Sequence, residues 1–151
     1  MRRFINILWN ITAVLFIIII VSTILGVFSR FILNSPLTWS DELSRFSLLW
    51  MVFLASVVVT YKDKHLNVDF IFDYISDDWK RILRNLNFLI SIIFLILVVF
   101  SSFDLLRVAS YSTSSALDIP LSYWRGSVVV GLILMVVVMI YKKIELFKKK
   151  R

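Results

Sequence analysis

The sequence contains no cysteine and a single histidine, His65, among its 151 residues. The lack of cysteine excludes a disulfide framework, thiol chemistry and a zinc-finger-type site. One histidine is too few for a His-rich metal or redox centre, and the sequence carries no Ser/His/Asp set and no phosphate-binding glycine loop. We therefore expect neither a cofactor nor a metal, and no enzymatic activity.

Glycine and proline are scarce, with three and two residues. No Gly- or Pro-broken segment interrupts an apolar run, as happens in the discontinuous helices of transporters. The middle of each apolar run also contains no charged residue. The charged residues near the outer ends of the runs all lie within about two turns of a predicted interface: Arg30, Asp41, Glu42, Arg45, Asp104, Arg107 and Arg125. The chain therefore lacks the parts of a self-sufficient transporter.

Apolar residues are abundant instead, at 60% of the chain. A soluble domain of this size cannot bury so much apolar surface, so we expect an all-α integral membrane protein. Four apolar runs predict transmembrane helices within a single membrane domain spanning residues 1–151, at about 11–33, 41–61, 84–108 and 121–141. The first run is longer than the apolar region of a signal peptide, which favours a retained anchor.

A fifth, amphipathic helix is predicted at about residues 67–79. Its apolar residues recur at i, i+3, i+4, i+7 and i+11 and define one face, Val68, Ile71, Phe72, Ile75 and Trp79, while Asp69, Asp73 and Asp77 lie on the other. We expect this helix to lie along the cytoplasmic surface of the membrane. Its acidic polar face favours a protein contact, because helices adsorbed to lipid usually have a basic face.

Positive charge is distributed unevenly about the four predicted spans. Thirteen of the 17 Lys and Arg residues flank the two termini and the loop between the second and third spans, and four lie on the other side. The positive-inside rule therefore places both termini in the cytoplasm. The net charge of +7 sits beside apolar segments, which is typical of topology signals, and we expect no nucleic-acid partner.

The stretch from Thr38 to Leu54 combines a helix start with a membrane span. Thr38 or Ser40 can cap the helix, and Asp41, Glu42 and Arg45 share a face on which they can pair. Trp50 lies deeper than the interfacial belt that Trp prefers, which favours contact with a partner subunit. The alternative is that the aromatic stripe of Phe46, Trp50 and Phe53 packs inside the bundle or against lipid.

This stretch, with Leu49–Ala55 and the His65-Leu66-Asn67-Val68-Asp69 segment, resembles the small membrane subunit of tripartite ATP-independent periplasmic (TRAP) transporters, the DctQ family. The resemblance covers nearly the whole chain. It implies a complex in the bacterial inner membrane, surrounded by lipid, in which a periplasmic substrate-binding protein delivers an organic anion. A large multi-span permease then imports the anion with sodium by an elevator motion, while the small subunit braces it. Sialic acid and C4-dicarboxylates are typical family substrates.

Carried over residue by residue, the resemblance implies subunit contact for Trp39, Asp41, Glu42, Arg45 and Trp50. His65 and Asp69 match the inner-loop motif of the family. Lys62-Asp63-Lys64 departs slightly from the family pattern, in which a glycine or arginine often precedes the histidine.

Two other classes of protein are alternatives. A small multidrug or proton-coupled exporter acting as a homo-oligomer has four helices, but it needs a carboxylate within a span, and Glu42 is too near the edge. A haem-anchoring enzyme subunit needs paired histidines, and the single His65 lies outside the spans. The residues that select the substrate of a TRAP transporter would lie on other chains.

The charge asymmetry yields a prediction about topology. A reporter fused after Arg151 should be active only in its cytoplasmic form, and one inserted near Ser114 only in its periplasmic form. The opposite pattern of activities would contradict the predicted orientation.

Overall fold

The computed structural model describes residues 1–62 and 77–149, which form four long α-helices. They are α1 (Arg2–Phe31), α2 (Thr38–Tyr61), α3 (Asp77–Ala109) and α4 (Leu121–Lys149). Each contains a stretch long and apolar enough to cross a membrane: Arg2–Phe31, Thr38–Tyr61, Asn85–Ala109 and Leu121–Glu145. The expected all-helical fold with four apolar helices is confirmed.

Three predictions fall wholly or partly outside the described residues. His65 and Asp69 lie there, and so does most of the predicted amphipathic helix at 67–79. Residues 77–79, its last three, are the first residues of α3. The helices also run past the predicted spans, since α1 begins at Arg2 and α4 continues to Lys149. Helical hydrogen bonding does not stop at the edge of an apolar run, and backbone groups that stay paired in the helix remain satisfied at an interface.

The helices are arranged as a row in the order α1, α2, α4, α3. Extensive packing joins α1 to α2, α2 to α4 and α4 to α3. The outer helices, α1 and α3, contribute least to the interior. In each of them 11% of the most apolar stretch is buried within the chain, against 28% in α2 and in α4. We call the end with segments 32–37 and 110–120 the loop end, and the opposite end the terminal end.

Small residues allow the closest helix approaches. A Cβ added at Gly26 of α1 would lie 2.5 Å from Ser40 Oγ of α2. A Cβ added at Gly131 of α4 would lie 2.6 Å from Phe53 Cβ of α2. Ser22 and Ser127, one turn away, are buried. The space beside both pairs of small residues is therefore filled by α2 of the same chain.

The central core lies towards the terminal end of the row. Val57, Val58 and Val138 are almost completely buried, and Ile5 and Leu8 of α1 pack with them. Burying a valine-sized side chain stabilises a fold by about 1.5–3 kcal/mol in water, whereas in lipid the gain comes mainly from close packing. The α1, α2 and α4 helices are thus held together by shape complementarity.

Lysine side chains connect neighbouring helices at the terminal end. Lys62 Nζ lies 4.4 Å from the ring centroid of Trp9, linking α2 to α1, and Lys142 Nζ lies 5.5 Å from that of Tyr61, linking α4 to α2. Lys143 Nζ lies 4.7 Å from the Phe88 ring and donates a 2.6 Å hydrogen bond to Asn85 Oδ1, linking α4 to α3. A cation over an aromatic face is attracted by its quadrupole, so these contacts join every neighbouring pair in the row.

The two short loops differ in how they end their helices. Asn34 adopts a left-handed conformation with φ 49°, and the Ser35 amide donates to the Ser29 carbonyl at 3.2 Å. Leu37, and not Thr38 or Ser40, is the N-cap of α2, and no side chain caps it. The Ser40 hydroxyl donates to the Leu37 carbonyl instead, at 2.7 Å. The predicted side-chain cap is therefore wrong, because Ser40 lies inside the first helical turn facing α1.

The contact between Gly131 and Phe53 yields a prediction about stability. The Cβ of Gly131→Ala would also lie 3.2 Å from the Phe53 carbonyl oxygen, so α2 and α4 must move apart. We expect a loss of about 1–3 kcal/mol, typical of overpacking, in unfolding by SDS titration from detergent micelles.

Gly126→Ala is the matched control on the same helix. A Cβ at Gly126 meets nothing within 4 Å, so the change should be neutral or slightly stabilising through helix propensity. Equal stability of the two variants would refute the close approach at Phe53.

Candidate interaction surface at the loop end

The carboxylate of Glu42 binds the tip of the α3–α4 loop. Glu42 Oε1 accepts hydrogen bonds from the amides of Ser115 at 3.0 Å and Ala116 at 3.1 Å. Its Oε2 accepts from Ala116 and Leu117, both at 3.0 Å. A carboxylate has two oxygens and about four lone-pair sites, so Glu42 can satisfy three consecutive backbone donors. These charge-assisted bonds connect the first turn of α2 to a loop more than 70 residues away.

The loop presents its amides because it forms a small hairpin. The Ser114 amide donates to the Ile119 carbonyl at 2.9 Å, and the Leu121 amide donates to the Ser112 carbonyl at 2.9 Å. Asp118 takes a left-handed conformation with φ 52°. Asp tolerates this region better than most residues. Successive amides in such a turn form a concave anion site, which here is occupied by the chain's own carboxylate.

Asp41 and Arg45 lie on another side of α2. Both are exposed, and Leu48, Val52 and Val59, further along α2, are also exposed. These five residues recur at i, i+4, i+7, i+11 and i+18, which is one helical face. We call them the α2 stripe. It is charged at the loop end and apolar along the rest of its length.

The expected ion pairs in this stretch are not formed. Among the described residues, no nitrogen of Arg45 lies within 4.0 Å of a carboxylate oxygen of Asp41 or Glu42. Glu42 is turned away by its bonds to the loop. Arg45 therefore has its guanidinium donors available on the exposed stripe.

Trp50 lies inside the row, on the opposite side of α2 from the stripe. It is half-buried and packs against the central core. Its ring centroid lies 6.4 Å from that of Phe46, which in turn makes an edge-to-face contact with Trp124 of α4 at 5.8 Å. Aromatic pairs in this geometry stabilise packing by about 0.5–1.5 kcal/mol. The aromatic stripe thus joins α2 to α4, and neither indole Nε1–H of Trp50 and Trp124 has a partner among the described residues.

Several residues at the loop end were not found from the sequence. Trp124 lies outside the stretch from Thr38 to Leu54, and the amides of residues 115–117 carry no side-chain signal at all. Arg125 of α4 donates to the Leu105 carbonyl of α3 at 3.3 Å, joining α4 to α3. Trp39 is half-buried in the first turn of α2. Within the parts of the chain that the structure describes, no three His, Cys, Asp or Glu residues converge on a metal position.

These observations define a membrane protein whose polar groups at the loop end hold its own helices and loops in place. The chain belongs to the DctQ family, the DctQ component of tripartite ATP-independent periplasmic transporters, whose pattern matches residues 19–149. It is therefore a small TRAP transporter subunit, as the resemblance implied. No curated protein matches the sequence.

The Glu42 contacts predict a local change in dynamics. In Glu42→Ala the amides of Ser115, Ala116 and Leu117 lose their acceptor, so their hydrogen exchange should become faster. Exchange can be followed by mass spectrometry on the full chain in micelles. Asp41→Asn removes a neighbouring charge that makes no contact with the loop, and it should leave these amides protected. Unchanged protection in Glu42→Ala would show that the carboxylate does not hold the loop.

Proposed function

We propose that this chain is the scaffold subunit of a sodium-coupled importer of an organic anion such as sialic acid or a C4-dicarboxylate. In this proposal it sits in the bacterial inner membrane with both termini in the cytoplasm and braces a large, elevator-type permease. The observation that carries the proposal is the family match over residues 19–149. A periplasmic binding protein would approach the loop end.

The row of helices supports a bracing role. An elevator motion requires one part of the transporter to stay fixed while another moves across the membrane. A row presents two broad apolar sides, and its neighbours are joined at the terminal end by Lys62, Lys142 and Lys143. At the loop end Glu42 connects α2 to the α3–α4 loop, and Arg125 connects α4 to α3. Contacts at both ends resist shear between helices, which suits a fixed support.

We place the contact with the permease on the α2 stripe and the adjoining first turn. Asp41 and Arg45 supply charge at the loop end, and Leu48, Val52 and Val59 supply apolar surface. Trp39, in the first turn, points about 160° away from Asp41, so its proposed contact is at the end of α2 and not on the stripe. Glu42 and Trp50 support the stripe without being part of it. Glu42 holds the loop in place, and Trp50 contributes to the packing of α2 on α4. His65 and Asp69 are proposed members of an inner-loop contact.

The scaffold proposal predicts that the chain has no transport activity alone. Purified into liposomes without a partner, it should move no organic anion under a sodium gradient or a proton gradient. Liposomes that also contain the permease, supplied with the loaded binding protein, should show sodium-dependent uptake. Gradient-driven transport by the chain alone would refute the proposal and favour an exporter that acts as a homo-oligomer.

The proposed interface predicts the effect of Arg45→Ala. Truncating one partner of a buried charge pair costs about 2–5 kcal/mol, so the Kd for the permease should rise about thirtyfold or more. Microscale thermophoresis in detergent measures this constant, and uptake should fall in parallel.

Arg107→Ala is the matched control, because Arg107 is an exposed charge at the loop end of the edge helix α3. It should leave the Kd close to that of the wild type. Equal affinity of the wild type and Arg45→Ala would exclude the α2 stripe as the contact. Trp50→Ala should also weaken the complex, but through loss of the Phe46 and Trp124 packing, and it should lower the stability of the isolated chain.

A further inference from the structure

An open cleft lies between α1 and α2 at the loop end. Arg30, from the last turn of α1, and Asp41, from the first turn of α2, lie on its wall. Val27, Phe31 and Leu37 supply apolar lining. The cleft therefore combines one cation, one anion and an apolar wall within a single opening.

Neither charge is used inside the described part of the chain. Arg30 and Asp41 are exposed, and no nitrogen of Arg30 lies within 4.0 Å of a carboxylate oxygen of Asp41 there. The Ser40 hydroxyl on the same wall already donates to the Leu37 carbonyl. In the chain alone, where the proposed permease contact of Asp41 is not made, the guanidinium and the carboxylate are thus available to a ligand.

We propose that this cleft binds the headgroup of a zwitterionic phospholipid with a primary ammonium, phosphatidylethanolamine, with Arg30 contacting its phosphate and Asp41 its ammonium. A guanidinium presents donors in a planar fork that matches phosphate oxygens. An ionised carboxylate accepts hydrogen bonds from an ammonium group. An anionic headgroup without an ammonium would meet the negative charge of Asp41 with nothing to balance it.

The depth of the cleft suits a headgroup. The 30 residues of α1 extend about 45 Å at about 1.5 Å per residue, which equals the thickness of a bilayer including its headgroup regions. Both charges lie within one turn of a helix end at the loop end, and so at the level of the headgroups.

Acyl chains also have a surface to follow. From the cleft, an exposed stripe runs down α1 at helical spacing through Phe31, Val27, Ile24 and Ile20. Phe31, at the top of this stripe, is 73% exposed. A lipid held by its headgroup can therefore lay a chain along α1, which an isolated soluble ion cannot do.

Native mass spectrometry of the full chain, without any partner, tests the assignment. The probes are phosphatidylethanolamine, phosphatidylcholine and phosphatidylglycerol with identical acyl chains. We expect phosphatidylethanolamine to be retained about tenfold better than the other two, the factor that one charge-assisted hydrogen bond supplies. Equal retention of the three lipids, or preference for phosphatidylglycerol, would overturn the proposal.

Variants assign the two charges. Asp41→Asn should abolish the preference for phosphatidylethanolamine, and Arg30→Gln should weaken retention of all three lipids. Asp104→Asn and Arg107→Gln, which change exposed charges at the loop end of α3, should behave as the wild type. Wild-type selectivity in Asp41→Asn would overturn the assignment, and near-UV circular dichroism verifies that each variant is folded.

A soluble competitor separates a lipid from a free dipolar ion. Glycerophosphoethanolamine carries the same headgroup without acyl chains, and at equal concentration it should not displace the lipid. Displacement would overturn the assignment to a membrane lipid. Because every measurement uses the chain alone, its outcome is independent of whether the chain braces a permease.

Discussion

The carboxylate of Glu42 connects the two halves of the chain at the loop end. Its two oxygens accept from three consecutive amides, those of Ser115, Ala116 and Leu117, so the carboxylate fixes the tip of the loop over the start of α2. The position of α4 relative to α2 follows from this connection and from the Phe46–Trp124 contact.

An open row has different consequences from a closed bundle. In a closed bundle each helix has two neighbours in the ring, and its apolar residues divide between the core and the lipid. Among the described helices, α1 and α3 have one extensive packing partner each, and most of their apolar stretches face outwards. Lipid tails are as apolar as leucine, so such exposure carries no large penalty in a membrane. We infer that the row is kept in place by close packing and by its polar contacts, and that its broad sides are available to a larger protein.

The four helices could be predicted because a helix that crosses a membrane needs a long run of apolar residues. A run of about 20 apolar residues has few other structural meanings. The apolar runs do not indicate that Gly26 and Gly131 are the points of closest approach between helices, nor which helix each one contacts. The family resemblance rests on the identities of residues, which can be read directly from the sequence. The match over residues 19–149 confirms it.

The loop-end contacts could not be predicted in the same way. The donors that bind Glu42 are backbone amides, which every residue except proline has, so no sequence pattern marks them. The Phe46–Trp124 contact depends on α2 and α4 being neighbours, and the apolar runs do not indicate which helices pack against each other. The predicted side-chain cap of α2 is wrong for a related reason. Ser40 lies against Gly26 of α1, and its hydroxyl donates to the Leu37 carbonyl.

The geometry of a single helix explains why the charged motif at residues 41–45 divides into separate tasks. Consecutive residues on an α-helix point about 100° apart, so Asp41 and Glu42 cannot share surroundings. Asp41 and Arg45, four residues apart, return to the same exposed side, whereas Glu42 is directed towards α4 and the loop. Trp50 lies about half a turn round from the stripe and meets the core. A motif that reads as one cluster in the sequence is therefore an internal tie on one side of α2 and a free surface on another. Asp41 and Arg45 therefore lie on an exposed side of α2, whereas Glu42 and Trp50 make contacts within the chain.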